Sequence, residues 1–276
     1  MNNNVNPSIY PQANPPRFSW QIFLLITATV LAIPLICLAF IIDNPTELIL
    51  GYGQFFLLGL GGAIVANSTG AGGGIVFIPA FTSMGVVGVS ALGTSLAIQC
   101  FGMTAGSMSW LYSMHKKDYG GKESIQLTYQ LLLLAGVSSV LGMLSAQYLL
   151  PLPVWPIEEI FKYFSILFGL ILLLVIFRRS KSNNNKSNNN KSKSVQQYLR
   201  RRDMPLIAMV CFLGGIITSW ISIGAGEWLA ILLFFLGYPT MVVVCVAVCI
   251  SSMVVLVGIP YHICIADSIS WQILLF

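Results

Sequence analysis

The stretch Asn67–Ala80, NSTGAGGGIVFIPA, decides how this chain is read. It holds four glycines, one proline and no charge, and long apolar runs lie on both sides of it. In a soluble protein such a run would cradle a phosphate. It contains Gly-x-Gly, but Gly-x-Gly-x-x-Gly fails in either register. Counting from Gly70 puts Ile75 at the third glycine position, and counting from Gly72 puts Phe77 there. No acid follows about 20 positions on and no βαβ pattern surrounds the run, so the dinucleotide-binding reading is set aside.

Composition points to another solvent. Of the 276 residues, 56% are hydrophobic and 8% are charged, with mean hydropathy +0.82. A soluble domain carries roughly 25% charged residues. This chain cannot cover a folded surface with charge, so most of its surface faces lipid, and the natural unit is a span of about 20 apolar residues. The net charge of +5 is local. Nine of the fourteen basic residues fall in Arg178–Arg202, RRSKSNNNKSNNNKSKSVQQYLRRR, which contains no acid. Without interleaved aromatics this run does not read as a nucleic-acid surface, and no nucleic-acid partner is expected. It reads as a cytoplasmic loop.

The six cysteines lie in or beside apolar segments and form no CxxC pair, so neither a disulfide framework nor a zinc site is expected. Cys245 and Cys249, at i and i+4, read as packing residues. His115 and His262 sit at segment ends and belong to no catalytic set. No cofactor motif and no nucleophile–base–acid set is present, so an enzyme is not expected.

Residues 1–18 are polar, rich in Pro and Asn, and read as a disordered tail. Apolar segments follow at 20–42, 50–84, 89–113, 125–150, 157–178, 204–236 and 241–262, with another beginning at 268–276. Segments 50–84 and 204–236 are too long for one simple span, and glycine interrupts both. Loop 114–124 carries Lys116, Lys117 and Lys122 and is assigned to the cytoplasm with loop 179–203. Loops 43–49 and 151–159 have no Lys or Arg and are assigned outside. The chain then crosses an odd number of times between 43–49 and 114–124. Segment 89–113 supplies one crossing, so 50–84 must enter and return to the same side. By the same parity 204–236 begins on the opposite face. That is the arrangement of an inverted-topology repeat. Sliding the chain by 154 residues sets Ser68-Thr69-Gly70-Ala71-Gly72-Gly73 on Ser222-Ile223-Gly224-Ala225-Gly226-Glu227 and Gly61 on Gly215.

The expected fold is therefore an all-α integral membrane protein. It is a multi-pass helical bundle of two inverted repeats, each with a glycine-broken re-entrant or half-helix segment. The first repeat spans 19–150. The second has its first helix at 151–178, the basic Asn-rich loop at 179–203 and its remainder at 204–276. The N-terminus is expected in the cytoplasm, in a plasma or internal membrane, and the oligomeric state is left open.

In hydrocarbon an unpaired backbone group costs several kcal/mol, so irregular backbone there lines a cavity or lies buried in protein. A helix restarting after the glycines presents free N–H groups and the positive end of its dipole, which bind anions without a basic side chain. No Lys or Arg lies inside any expected span away from its ends; Lys162, one turn into its segment, is expected to pair with Glu158. Candidate substrate-binding residues are Ser68, Thr69, Gly70, Gly72, Gly73, Gly74, Thr94 and Ser95 in the first half. In the second they are Ser222, Gly224 and Gly226, with Ser251 and Ser252 as further hydroxyls. Gly102 and Gly106 suit close helix packing. Glu227 is the only acid deep in an apolar segment. It reads either as a proton-coupling group or as a first-turn acid at a half-helix N-terminus. A charged Glu227 would repel an anion, so it is expected to act neutral or proton-linked during transport.

At GAGGGIVFIPAFTSMG, then VSALGTSLA, then the second copy ISIGAGEWLAILLFFLG, the chain resembles the TauE/SafE family of sulfite-exporter-like membrane proteins. The resemblance implies secondary transport of small sulfur-containing anions such as sulfite or sulfonates, coupled to an ion. By the motif, Gly70, Gly72, Gly73, Gly74, Pro79, Thr94 and Ser95 carry it in the first half, and Gly224, Gly226 and Glu227 in the second. The second copy departs from the pattern at Glu227, at the missing proline and at Cys245-Val246-Ala247, where Thr-Ser would stand. The Asn-rich run 182–190 departs too. The family continues through further helices, so the ending WQILLF suggests a truncated chain. Two other readings stay open, an anion channel using the same half-helix ends and a non-transporting membrane scaffold or sensor.

Overall fold

The computed structural model describes residues 45–115, 121–150, 155–184 and 198–274. The expected tail 1–18, the span 20–42 and most of the Asn-rich loop lie outside the described residues. All regular structure among those described is helical: α1 (Pro45–Tyr52), α2 (Gln54–Thr69), α3 (Gly74–Ser83), α4 (Gly88–His115), α5 (Lys122–Tyr148), α6 (Ile157–Asn184), α7 (Met204–Ile221), α8 (Ala225–Leu236), α9 (Thr240–Cys264) and α10 (Trp271–Leu274). The chain divides into two compact units, one reaching to Gly51 and the other running from Tyr52 to Leu274. In the first, the described helix α1 starts on Pro45, whose missing N–H is no loss at a helix start.

In the second unit α5, α7 and α9 are long and apolar enough to cross a membrane. α4 has 28 residues, but its glycine, serine, threonine and glutamine content keeps it below that hydropathy. α9 is the central element. Its sequence TMVVVCVAVCISSMVVLVGIPYHIC is apolar on every side, which suits a helix enclosed by others. Accordingly 78% of its apolar window is buried, against 44% for α5 and 39% for α7. It packs on α4, α5 and α8, while α5 packs most closely on α7. There a side chain at Gly142 would overlap the Phe212 carbonyl, and one at Gly215 the Ser139 carbonyl.

Both glycine-rich segments are broken as the sequence predicts. α2 ends at Thr69 and α3 begins at Gly74; α7 ends at Ile221 and α8 begins at Ala225. Each first helix closes on a left-handed residue, Gly70 at φ 75° and Ser222 at φ 61°. Their N–H groups donate back to Ala66 O at 3.0 Å and Thr218 O at 2.9 Å. These matched ends pair Gly70 with Ser222, two positions away from the register that sliding the sequence suggests. α3 rises only about 15 Å and α8 about 18 Å, well short of a hydrocarbon core of about 30 Å.

The two ends of each broken segment lie close together. Phe55 in the first turn of α2 meets Phe81 near the end of α3, with ring centroids 5.8 Å apart. Tyr238, just past α8, donates its hydroxyl to Asp203 Oδ2, just before α7, at 3.3 Å. Burial pushes the Tyr238 phenol above its ordinary range, so it remains a donor. Gly85 (φ 82°) and Gly237 (φ 83°) follow the ends of the second half-helices.

Two local expectations change. α6 continues to Asn184 rather than stopping at 178. Lys162 pairs with Glu159 at 3.4 Å and not with Glu158. Glu158 instead accepts the Gly88 N–H at 2.6 Å, tying the start of α6 to the start of α4. Gly102 and Gly106 do let α2 approach α4. Asn67 Nδ2 donates to Gly102 O at 3.2 Å, and a methyl at Gly106 would overlap the Asn67 amide.

Close approach of α5 and α7 yields a direct test. Gly142→Ala should lower the thermal stability of the detergent-solubilised protein by about 1–3 kcal/mol through overpacking. Gly169→Ala, where a methyl meets nothing within 4 Å, should leave it unchanged or raise it.

Candidate functional site

The two breaks meet. Glu227 stands in the first turn of α8 and is 2% exposed. Its Oε2 accepts the N–H of Gly224, the residue capping its own helix, at 2.9 Å. Its Oε1 accepts the N–H of Gly72, 155 residues away in the other break, at 2.5 Å. The first contact is the half of a capping box in which a glycine can take part. The second joins the two halves of the chain at the places where their helices are interrupted. Trp228, the next residue, is held edge-on by Phe164 and Phe168 of α6 with centroids 5.7 and 5.8 Å away, which fixes the first turn of α8.

A second link runs the other way. Gln99 of α4, 3% exposed, donates through Nε2 to Ser222 Oγ at 2.7 Å and to Ser95 Oγ at 3.1 Å. The Ser95 and Ser222 hydroxyls lie 3.0 Å apart. A further amide of the second break is satisfied from within: Ala225 N–H donates to Thr218 Oγ1 at 3.0 Å, and that hydroxyl donates to Gly214 O at 2.8 Å. Between these groups lies a cavity of about 10 Å³ in which the centre of a water molecule can sit, room for one water. Gly72, Gln99, Thr218, Ser222, Ile223, Gly224, Ala225, Glu227, Ser251 and Val255 line it. Glu227 is the only titratable group among them, and none is Lys or Arg.

The candidates from the sequence separate accordingly. Gly72, Ser222, Gly224 and Glu227 reach the cavity wall, and Ser95 stands behind it through Gln99 and Ser222. Gly74 lies against Ser222, where a side chain would overlap the Ser222 carbonyl, so the two breaks can approach only with glycine there. Gly226 faces Ser251 and Ala247 of α9, and Gly70 packs on Ala247 of α9. Gly73 sits under the Phe77 ring. Ser68 and Thr69 turn away, their hydroxyls donating to Val65 O at 3.1 and 2.8 Å. Thr94 also points elsewhere and accepts the Ser270 N–H at 2.9 Å. Ser252 meets Thr104 at 3.0 Å.

Two residues of the site escaped the sequence reading. Gln99 is the sole amide side chain in the apolar segment 89–113, a signal that a search for hydroxyls and charges passes over. Thr218 lies one turn before Ser222, at the spacing that lets a hydroxyl answer an amide beyond the helix end.

The TauE/SafE sulfite exporter family model matches residues 55–276, which takes in both breaks and every residue of the site. The chain belongs to the TauE/SafE family. TauE/SafE proteins are membrane transporters, and the apolar helices α5, α7 and α9 are those of a helical membrane protein. No curated protein and no solved structure matches the chain.

Thr218 gives the local test. Thr218→Val keeps the shape, but leaves the buried Ala225 N–H without its acceptor and should cost about 1–3 kcal/mol of stability. Thr218→Ser restores the hydroxyl and should recover most of it, as read by thermal unfolding in detergent.

Proposed function

We propose that this protein is a secondary transporter of small sulfur-containing anions such as sulfite or organosulfonates, bound where the half-helices of two inverted repeats begin. The observation that carries the proposal is the convergence of backbone amides from both breaks on one small cavity without a basic side chain. Amides at helix starts recognise oxyanions with no ammonium or guanidinium to hold them too tightly. Family membership supplies the substrate class.

The repeats run over 19–150 and 151–276, with loop 179–203 in the cytoplasm. Support comes from the matched helix ends, from the closeness of the two ends of each broken segment and from the loop charges. Gly72, Gly224 and Ser222 are assigned to substrate binding, with Gly70, Gly73, Gly74 and Gly226 shaping the approach of the backbones. The cavity speaks for a carrier over a channel. It has room for one water, too little for an oxyanion, so an anion fits only when the two halves move apart. Glu227 is assigned the coupling proton. It is the one titratable group on the wall, and a charged carboxylate beside a bound anion in low dielectric is strongly disfavoured.

Reconstitution into proteoliposomes tests this. Wild-type protein should take up radiolabelled sulfite or taurine-like sulfonates with a rate that follows an imposed pH gradient. Glu227→Gln should abolish the response to the gradient; an unchanged response would remove the proton from Glu227. Gly72→Leu should abolish flux, because a side chain there would start 2.9 Å from Gln99 Oε1 and 3.0 Å from Glu227 Oε1. Wild-type flux through Gly72→Leu would place the site elsewhere.

A further inference from the structure

Glu227 holds both amides that the transport reading assigns to the substrate, at 2.5 and 2.9 Å. A carboxylate and a sulfite or sulfonate each present two oxygens at similar spacing, so they compete for the same pair of N–H donors. The cavity beside them has about 10 Å³ for the centre of a water molecule, far too little for an oxyanion alongside the carboxylate. Occupancy by one excludes the other.

A third group is free to receive the anion. Ser251 of α9 lines the same cavity and is 5% exposed, and its hydroxyl makes no hydrogen bond among the described residues. The neighbouring hydroxyls are all engaged: Ser222 with Gln99 and Ser95, Thr218 with Gly214 and Ala225. The Ser251 hydroxyl is thus the lining group left to donate to a molecule in the cavity.

We propose that Glu227 is a tethered competitor of the transported anion, which displaces its carboxylate from the Gly72 and Gly224 amides and takes the Ser251 hydroxyl as its own donor. Substrate recognition is then an exchange of one anion for another on a fixed pair of amides. The proposal rests on the transport reading of this site.

The test uses equilibrium binding of radiolabelled sulfite to the purified full-length chain, with hydrogen exchange of the two breaks as a readout independent of flux. Glu227→Gln keeps one acceptor oxygen in place of two and should bind sulfite about tenfold more tightly. Glu227→Asp keeps the charge but is one methylene too short to bridge both amides, and it should also bind more tightly. Ser251→Ala should weaken sulfite about tenfold with unchanged thermal stability, since no bond among the described residues is lost. Exchange at 70–74 and 222–226 should quicken in Glu227→Gln and slow again when sulfite is added.

Tighter binding by Glu227→Gln with wild-type binding by Glu227→Asp would show simple charge repulsion and overturn the competition. Unchanged exchange at 70–74 in Glu227→Gln would overturn it too. Unaltered affinity in Ser251→Ala would remove the assigned donor. If wild-type protein moves sulfite while none of these variants differs from it, only the competition fails; if wild-type protein neither binds nor moves any sulfur oxyanion, the transport reading itself falls.

Discussion

One buried carboxylate holds the broken helices of this protein together. Interrupting a helix inside a bilayer strands amides that water cannot reach, and each one left unpaired costs several kcal/mol. Glu227 answers two of them at once, Gly224 in its own break and Gly72 in the other. Because those glycines belong to different halves of the chain, the bond that satisfies the local backbone also sets how the halves meet. Gln99 and Ser222 repeat the device in the opposite direction, from α4 of the first half to the break of the second. The junction is thus cross-linked by polar contacts within a shell of apolar packing.

Such contacts need the backbones very near each other, and the small residues follow from that need. A side chain at Gly74 would strike the Ser222 carbonyl, and one at Gly226 would meet Ser251, Ala247 O and Gly70 O. The glycine cluster is therefore less a flexible loop than a surface with nothing on it. Outside the junction the apolar helices hold these positions: α9 runs through the middle, α5 and α7 close on each other, and Phe164 and Phe168 clamp Trp228 beside the carboxylate.

Local chemistry made much of this legible in the sequence. Glycine clusters inside apolar runs mark interruptions because no lipid-facing helix tolerates them, and the breaks at 70–73 and 222–224 fall where Gly70-Ala71-Gly72-Gly73 and Ser222-Ile223-Gly224 place them. Glu227 stands out by charge alone. Long-range pairing was not legible. Nothing in the spacing says that Glu227 reaches Gly72, that Thr94 turns to Ser270, or that Ser68 and Thr69 return to Val65 O, since a hydroxyl in the last turn of a helix can always choose its own carbonyls. Gln99 was overlooked because a glutamine carries no charge, although an amide buried in an apolar helix must find partners as surely as an acid must. The two-residue change of register has a similar cause. The S-x-G-A-G strings match by residue type, whereas the fold aligns the left-handed helix ends, and glycine and serine both serve there.

Recognition without lysine or arginine then has an energetic rationale. A transporter must release what it binds, and an anion buried against a cationic side chain gains an attraction that grows as the dielectric falls. Backbone amides offer direction without net charge. On the proposed exchange those amides already hold the Glu227 carboxyl, so an incoming oxyanion gains only the difference between its hydrogen bonds and those of Glu227. The small difference keeps affinity modest in both directions. On the proposed exchange, breaking the Glu227–Gly72 contact also severs one of the polar links between the halves, so the event that admits the substrate is the event that loosens the junction. Binding and opening would then share the same pair of hydrogen bonds, with the switch in the break itself.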